Sequence, residues 1–205
     1  MKASILKKSL ISMIDSKIPV FVWGNPGVGK SSIIKQIAND KNMEFIDLRL
    51  SLLDPTDLRG IPFFDSANKS AIWAKPEFLP NSNSQAFGIL FLDEINSAPP
   101  TVQAAAYQLI LDRKIGEYTL PMNYAIVAAG NYESDRGVTY RMPTPLANRF
   151  VHLDFELDFE EWKSWAYESK IDTRIISFLS YKPQNLFTFD AKAKEKSFAT
   201  PRSWS

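Results

Sequence analysis

The stretch Gly24-Asn25-Pro26-Gly27-Val28-Gly29-Lys30-Ser31 matches G-x-x-x-x-G-K-[ST] in full, and such a loop works in one local setting: after a strand and at the start of a helix. Both flanks are present. Val20-Phe21-Val22-Trp23 is an apolar run, and Ser32-Ile33-Ile34-Lys35-Gln36-Ile37-Ala38 carries helical amphipathic spacing. The glycines let backbone N–H groups close around phosphate oxygens, and the helix N-terminus adds a dipole that favours an anion. Lys30 would reach β and γ phosphates, and the Ser31 hydroxyl would ligate Mg²⁺. Gly24, Asn25, Pro26, Gly27, Val28, Gly29, Lys30, Ser31 and Ser32 are therefore the candidate nucleotide-contacting residues.

Composition narrows the alternatives. At 205 residues with 45% hydrophobic content, the chain can bury a substantial core as one large domain or a domain with a small appendage. Lys+Arg (24) and Asp+Glu (23) nearly cancel, so no global basic field argues for nucleic acid. The absence of cysteine excludes disulfides, a thiol nucleophile and zinc-thiolate sites. The charged start Lys2-Ala3-Ser4-Ile5-Leu6-Lys7-Lys8 does not read as a signal peptide, and no apolar run approaches a membrane span. A cytoplasmic protein without membrane contact is expected.

Along the chain, a helix over Ser4 to Ser16 would place Ile5, Leu6, Leu10, Ile11 and Ile14 on one face. Apolar runs then alternate with helical segments: Val20–Trp23, Phe45–Leu48, Gly88–Leu92, Tyr124–Ala129 and Val151–Phe155. That order implies a parallel sheet covered on both faces, a three-layer αβα arrangement whose five strands suit a P-loop NTPase core. Pro76 to Gln85 is polar and turn-rich. After Asp158 the chain reads as helices carrying Trp162, Trp165, Ile171, Ile175, Ile176 and Leu179. The expected division is an α/β nucleotide-binding core over 1–156 and the start of a helical lid over 157–205. The end Thr200-Pro201-Arg202-Ser203-Trp204-Ser205 lacks capping logic, so the lid is expected to be incomplete.

Ile89-Leu90-Phe91-Leu92-Asp93-Glu94 is an apolar strand ending in two carboxylates. A central parallel strand delivers its C-terminal residues to the ligand crevice, so Asp93 would hold Mg²⁺ and Glu94 would orient an attacking water. Tyr124-Ala125-Ile126-Val127-Ala128-Ala129-Gly130-Asn131 repeats the pattern with a terminal amide, placing Asn131 to bond the water or γ-phosphate. Arg149 precedes the last core strand. An arginine at a domain edge can neutralise phosphoryl charge in a neighbouring subunit's site, and Arg136 and Arg141 compete for that role.

Taken in order, Gly24–Ser31, Asp93-Glu94-Ile95-Asn96-Ser97-Ala98-Pro99-Pro100, Asn131 and Leu146-Ala147-Asn148-Arg149-Phe150 resemble the MoxR-type branch of the AAA+ ATPases. Asp54-Pro55-Thr56-Asp57-Leu58-Arg59-Gly60 resembles the segment before that branch's insert in the second helix. Asp112 to Pro121 resembles its hairpin ahead of the sensor-1 strand, and Thr200-Pro201-Arg202 is similar to the lid's sensor-2 motif. The resemblance implies Walker B roles for Asp93 and Glu94, sensor 1 for Asn131, a trans-acting arginine finger for Arg149 and a cis sensor 2 for Arg202. It further implies ATP and Mg²⁺ as ligands, a hexameric homo-oligomeric ring, and a protein client, in many members one with a von Willebrand factor A domain. Asn148 departs from the pattern, since the branch usually carries Asp there.

Two other readings stand beside an ATP-hydrolysing remodelling motor. One is a GTP-driven motor serving a nuclease, to which Asn131-Tyr132-Glu133-Ser134-Asp135-Arg136 is loosely similar through the McrB-type relatives. The other is a nucleotide-gated binding module with little hydrolysis. His152, the single histidine, reads as a packed or partly exposed residue of the core rather than a catalyst. Phe63, Phe64 and Trp73 read as core packing in preference to an interaction surface, and Lys192-Ala193-Lys194-Glu195-Lys196 as a solvated helical face.

Overall fold

In the computed structural model, which describes residues 1–135, 139–140, 142–191 and 197–205, the apolar runs that bracket the glycine-rich loop become strands of one sheet. The elements in chain order are α1 (Ala3–Asp15), β1 (Val20–Trp23), α2 (Lys30–Asp40), β2 (Glu44–Arg49), α3 (Pro55–Arg59), β3 (Ile61–Asp65), β4 (Ser70–Ala74), β5 (Gly88–Asp93), α4 (Pro100–Asp112), β6 (Lys114–Ile115), β7 (Tyr118–Thr119), β8 (Tyr124–Gly130), α5 (Thr144–Ala147), β9 (Val151–Asp154), α6 (Phe159–Glu168) and α7 (Thr173–Tyr181). The five-stranded sheet has the order β2-β5-β8-β1-β9, and every pairing in it is parallel.

Strands buried on both faces need apolar residues at successive positions, not alternate ones. The two cores show why. Phe21, Leu90, Leu92, Ile126 and Ala128 join Val102, Ala106 and Leu109 of α4. Val20, Val22, Ile89, Phe91, Val127 and Ala129 join Leu6, Leu10 and Ile14 of α1 and Ile34, Ile37 and Ala38 of α2. Consecutive side chains point to opposite faces, so each run feeds both layers. Ile5, expected on the buried face of α1, is instead 53% exposed; the buried stripe is the narrower Leu6–Leu10–Ile14 set.

A third, smaller core joins Trp162 and Ala166 of α6 to Ile176 and Leu179 of α7 and to Leu186. Side-chain caps start both helices: Asp158 accepts from Glu161 N at 3.1 Å and Asp172 from Arg174 N at 2.8 Å. Leu157 packs against both this core and the α1–α2 layer. Among the described residues, no helix is long and apolar enough to cross a membrane.

The aromatic insert overturns the core-packing expectation. Residues 61–74 form the β3–β4 hairpin, antiparallel and outside the main sheet, and Phe63 and Phe64 are 59% and 73% exposed, with Trp73 also exposed. A two-stranded ribbon has no second layer to bury its side chains against, which periodicity could not reveal. The run Lys192–Lys196 lies outside the described residues.

Close approach in the sheet yields a test. A methyl placed on Gly88 would lie 2.1 Å from the Tyr124 ring. That ring is fully buried and its hydroxyl bonds Glu44, so it has nowhere to go. Gly88→Ala should lower unfolding free energy by about 1–3 kcal/mol, read from urea denaturation.

Candidate functional site

All five parallel strands end on one edge, and the neighbouring strands β8 and β1 send their connections in opposite directions across the sheet, β1 toward β2 at one edge and β8 past β1 to β9 at the other. Such a switch point is where an open α/β sheet forms its crevice. The loop after β1 turns into it with Gly27 at φ +76 and Gly29 at φ +101, left-handed values that cost a side-chain-bearing residue energy. Gly29 caps α2, whose first residue is Lys30.

Lys30 is only 9% exposed. Its ammonium donates to Gly24 O at 2.6 Å, Asn25 O at 3.0 Å and the Asn131 Oδ1 at 2.9 Å. Burial brings its pKa down to about 8, with Arg202 acting in the same direction and Asp93, Asp135 and Glu94 opposing. Asp93 is pushed up from the usual carboxylate range by burial first and by the adjacent Glu94, while Lys30 pulls it back. A carboxylate held short of compensating charge is suited to a cation.

Glu94 occupies a left-handed backbone conformation, φ 56, uncommon for a residue with a side chain and costly enough to need support. Its N–H donates to Asp93 Oδ1 at 2.9 Å. Its carboxylate accepts from the Ser51 hydroxyl, just beyond β2. Asn96, 2% exposed, donates from Nδ2 to Asn131 O at 2.7 Å and so fixes the backbone behind the Asn131 amide.

A polar cavity of about 60 Å³ is lined by Pro26, Gly27, Val28, Gly29, Lys30, Ser31, Asp93, Glu94, Asn131 and Arg202. Arg202 arrives because Thr200–Arg202 lies on the glycine loop: Arg202 N donates to Gly27 O at 3.3 Å, and a methyl on Gly27 would stand 2.8 Å from Thr200. A larger cavity of about 660 Å³ shares Val28, Gly29 and Arg202 and continues between Ser32 and Ile33 on one side and Leu157, Trp162 and Trp165 on the other. Its apolar walls suit a planar base. Nothing in the sequence pattern of α6 distinguished Trp165 from a packing residue.

Gly24 and Asn25 sit at the mouth of the loop, their carbonyls on Lys30. Arg149 stays apart. It is exposed after α5 and lines neither cavity. Its competitors Arg136 and Arg141 lie outside the described residues. His152 is exposed and held at both ring nitrogens, Nδ1 accepting from Trp23 Nε1 at 2.8 Å and Nε2 facing Ala147 O at 2.9 Å. Ser51 went unnoticed in the sequence, and Asn96 and Asp135 appeared there only inside quoted motifs, without a role. Asn96 alone had a signal, three residues beyond Asp93.

A buried lysine within two glycine-rich turns, two carboxylates and an amide, all at one sheet edge, define a nucleotide-binding α/β domain. Residues 19–152 match the model of the "ATPase family associated with various cellular activities (AAA)". The chain therefore belongs to that family, and within it resembles the MoxR-type branch. It is 28% identical over 152 residues to Chaperone MoxR1 of Mycobacterium tuberculosis, covering 72% of this chain and 38% of that protein. It is 30% identical over 107 residues to the replication factor C large subunit of Ignicoccus hospitalis, covering 52% and 20%. The chain thus spans well under half the length of these curated relatives. Two solved structures share the fold. A candidate ATPase from Cytophaga hutchinsonii superposes with TM-score 0.55 at 21% identity, over 97% of this chain and 54% of that one. NtrX from Brucella abortus in complex with ADP gives 0.53 at 14%, over 99% and 53%.

The Lys30 environment gives a pH test. Between about 8 and the ordinary 10.5, the unfolded chain holds a proton that the folded one has released, so stability rises with pH across that window. Without nucleotide or magnesium, this residue should add about 3 kcal/mol between those limits. Urea midpoints at pH 7, 9 and 10.5 should therefore climb more steeply in the wild type than in Lys30→Met.

Proposed function

We propose that the chain binds ATP with Mg²⁺ and hydrolyses it, as the motor domain of an oligomeric machine that remodels or activates a protein partner. The observation that carries the reading is the Lys30 ammonium, which touches the glycine loop and Asn131 together. On this reading Gly24 to Ser32 hold the triphosphate, Lys30 meets its β and γ phosphates, Asn131 bonds the γ-phosphate or the water, and Arg202 adds cis charge from the lid. Residues 1–156 are the nucleotide-binding core and 157–205 belong to the lid. The wider cleft at Trp162 and Trp165 takes the base.

The donor set fits magnesium. No cluster of three or more acidic or histidine side chains among the described residues could hold a metal alone. One hydroxyl and one carboxylate is what Mg²⁺ takes when phosphates and water complete its shell, and Ser31 and Asp93 both line the phosphate cavity. Bound there, the ion would neutralise phosphoryl charge. Glu94 orients the attacking water, and release of the Ser51 hydroxyl from its carboxylate frees it to do so.

Arg149, exposed and away from this chain's own site, serves the neighbouring site in a head-to-tail hexameric ring. A client or partner carrying a von Willebrand factor A domain fits the family resemblance.

Lys30→Ala should abolish nucleotide binding in calorimetry. Glu94→Gln should bind ATP as tightly as wild type while turnover falls at least about a hundredfold; retained turnover would remove Glu94 from the chemistry. Specific ATPase activity should rise with protein concentration, and Arg149→Ala should flatten that rise without weakening nucleotide binding. An unchanged concentration dependence in that variant would take the finger role from Arg149.

A further inference from the structure

Asp135 is a charged side chain only 8% exposed, and none of the roles above uses it. Burying a carboxylate is costly unless donors satisfy it. Here Asn25 Nδ2 donates to Oδ1 at 3.2 Å and Tyr132 N to Oδ2 at 3.1 Å. The Ser134 hydroxyl, at 3.4 Å, adds little at that length.

The two donors belong to different parts of the site. Asn25 is the second residue of the glycine loop. Tyr132 follows Asn131, and its turn is anchored to the sheet edge: the Tyr132 ring stacks parallel to Trp23 with centroids 6.2 Å apart, and its hydroxyl donates to Asp154 Oδ1 at 3.0 Å. The Asp135 N–H closes the turn on Tyr132 O at 3.0 Å.

We propose that Asp135 is a positioning residue for the phosphate loop, a two-pronged clamp that ties Asn25 to the turn behind Asn131. The proposal rests on the nucleotide-binding reading given above. Lys30 also braces the loop, through Gly24 O and Asn25 O, but it must leave those carbonyls to meet a phosphate. The Asp135 clamp makes no use of the ammonium. It therefore holds the loop's shape, and the relation between the loop and Asn131, while Lys30 changes partners. Keeping donors in place before a ligand arrives saves the ordering cost that would otherwise weaken binding.

A carboxylate suits the clamp because two N–H donors approach two separate oxygens. An asparagine offers one oxygen and one NH₂ group, so it keeps both contacts only if the Asn25 amide turns over to present its oxygen.

The test is fluorescence titration with mant-ADP on wild type, Asp135→Ala, Asn25→Ala and the double variant Asp135→Ala/Asn25→Ala, with thermal unfolding followed in parallel. Asp135→Ala, which removes both prongs, should weaken binding about tenfold. Asn25→Ala should weaken it by no more than that, and the double variant should bind no worse than Asp135→Ala, because both single variants break the Asn25–Asp135 contact. Should Asp135→Ala fail to fold, the loop-side Asn25→Ala carries the measurement. Wild-type affinity in Asp135→Ala overturns the clamp, as does a double variant whose loss multiplies those of the singles. A drop in unfolding temperature with unchanged mant-ADP affinity also overturns it, leaving a purely structural residue. Wild-type binding by Lys30→Ala, in contrast, would defeat the phosphate-loop reading itself.

Discussion

The site is organised around a cation taken out of water. Lys30 sits at the first turn of a helix, where the dipole disfavours positive charge, and it is nearly fully buried. Two loop carbonyls and one side-chain amide compensate only part of that cost, which is why its pKa falls to about 8. On the proposed reading, a bound phosphate would supply what those neutral dipoles lack. The surroundings share the imbalance from the other side: Asp93 is raised by burial and by Glu94. The arrangement holds opposite charges close without letting them pair directly.

Sheet order does the rest of the positioning. β8 lies at the centre, with β5 on one side and β1 on the other. Register then sets depth: Leu92 is level with Ala128, and Trp23 with Gly130. The residues that follow, Asp93, Asn131 and Gly24, emerge at neighbouring points of one edge. Side chains outside the motifs secure them. Asn96 holds the Asn131 backbone, Ser51 holds Glu94, and Asp135 ties the loop to the sensor turn. All three reach across from a different element.

Much of this was legible in the letters. The five core strands lie within a few residues of their apolar runs; the three inner ones, β5, β8 and β1, are buried on both faces and leave an unbroken apolar signature. Lys30, Ser31, Asp93, Glu94 and Asn131 could be singled out as candidates because chemistry and position coincide: each stands where a strand ends or a helix begins. The aromatic insert was misjudged for an equally physical reason. Phe63, Phe64 and Trp73 have the composition of a core, and whether a second layer covers them is a property of the fold. Ser51 carried no signal, since a lone serine in a loop is ordinary, and Asp135 stood only in a loose resemblance that assigned it no role.

By itself the sequence determined the class of sheet, the phosphate loop and the identity of the groups at three strand ends, because those depend on local periodicity and on contiguous motifs. Tertiary structure alone decided that Lys30 meets Asn131, that Thr200–Arg202 lies on the glycine loop while Arg149 does not approach it, and that the β3–β4 hairpin projects uncovered. The two contacts join residues 101 and 175 positions apart in the chain, and only the packing of layers brings such residues within hydrogen-bonding distance.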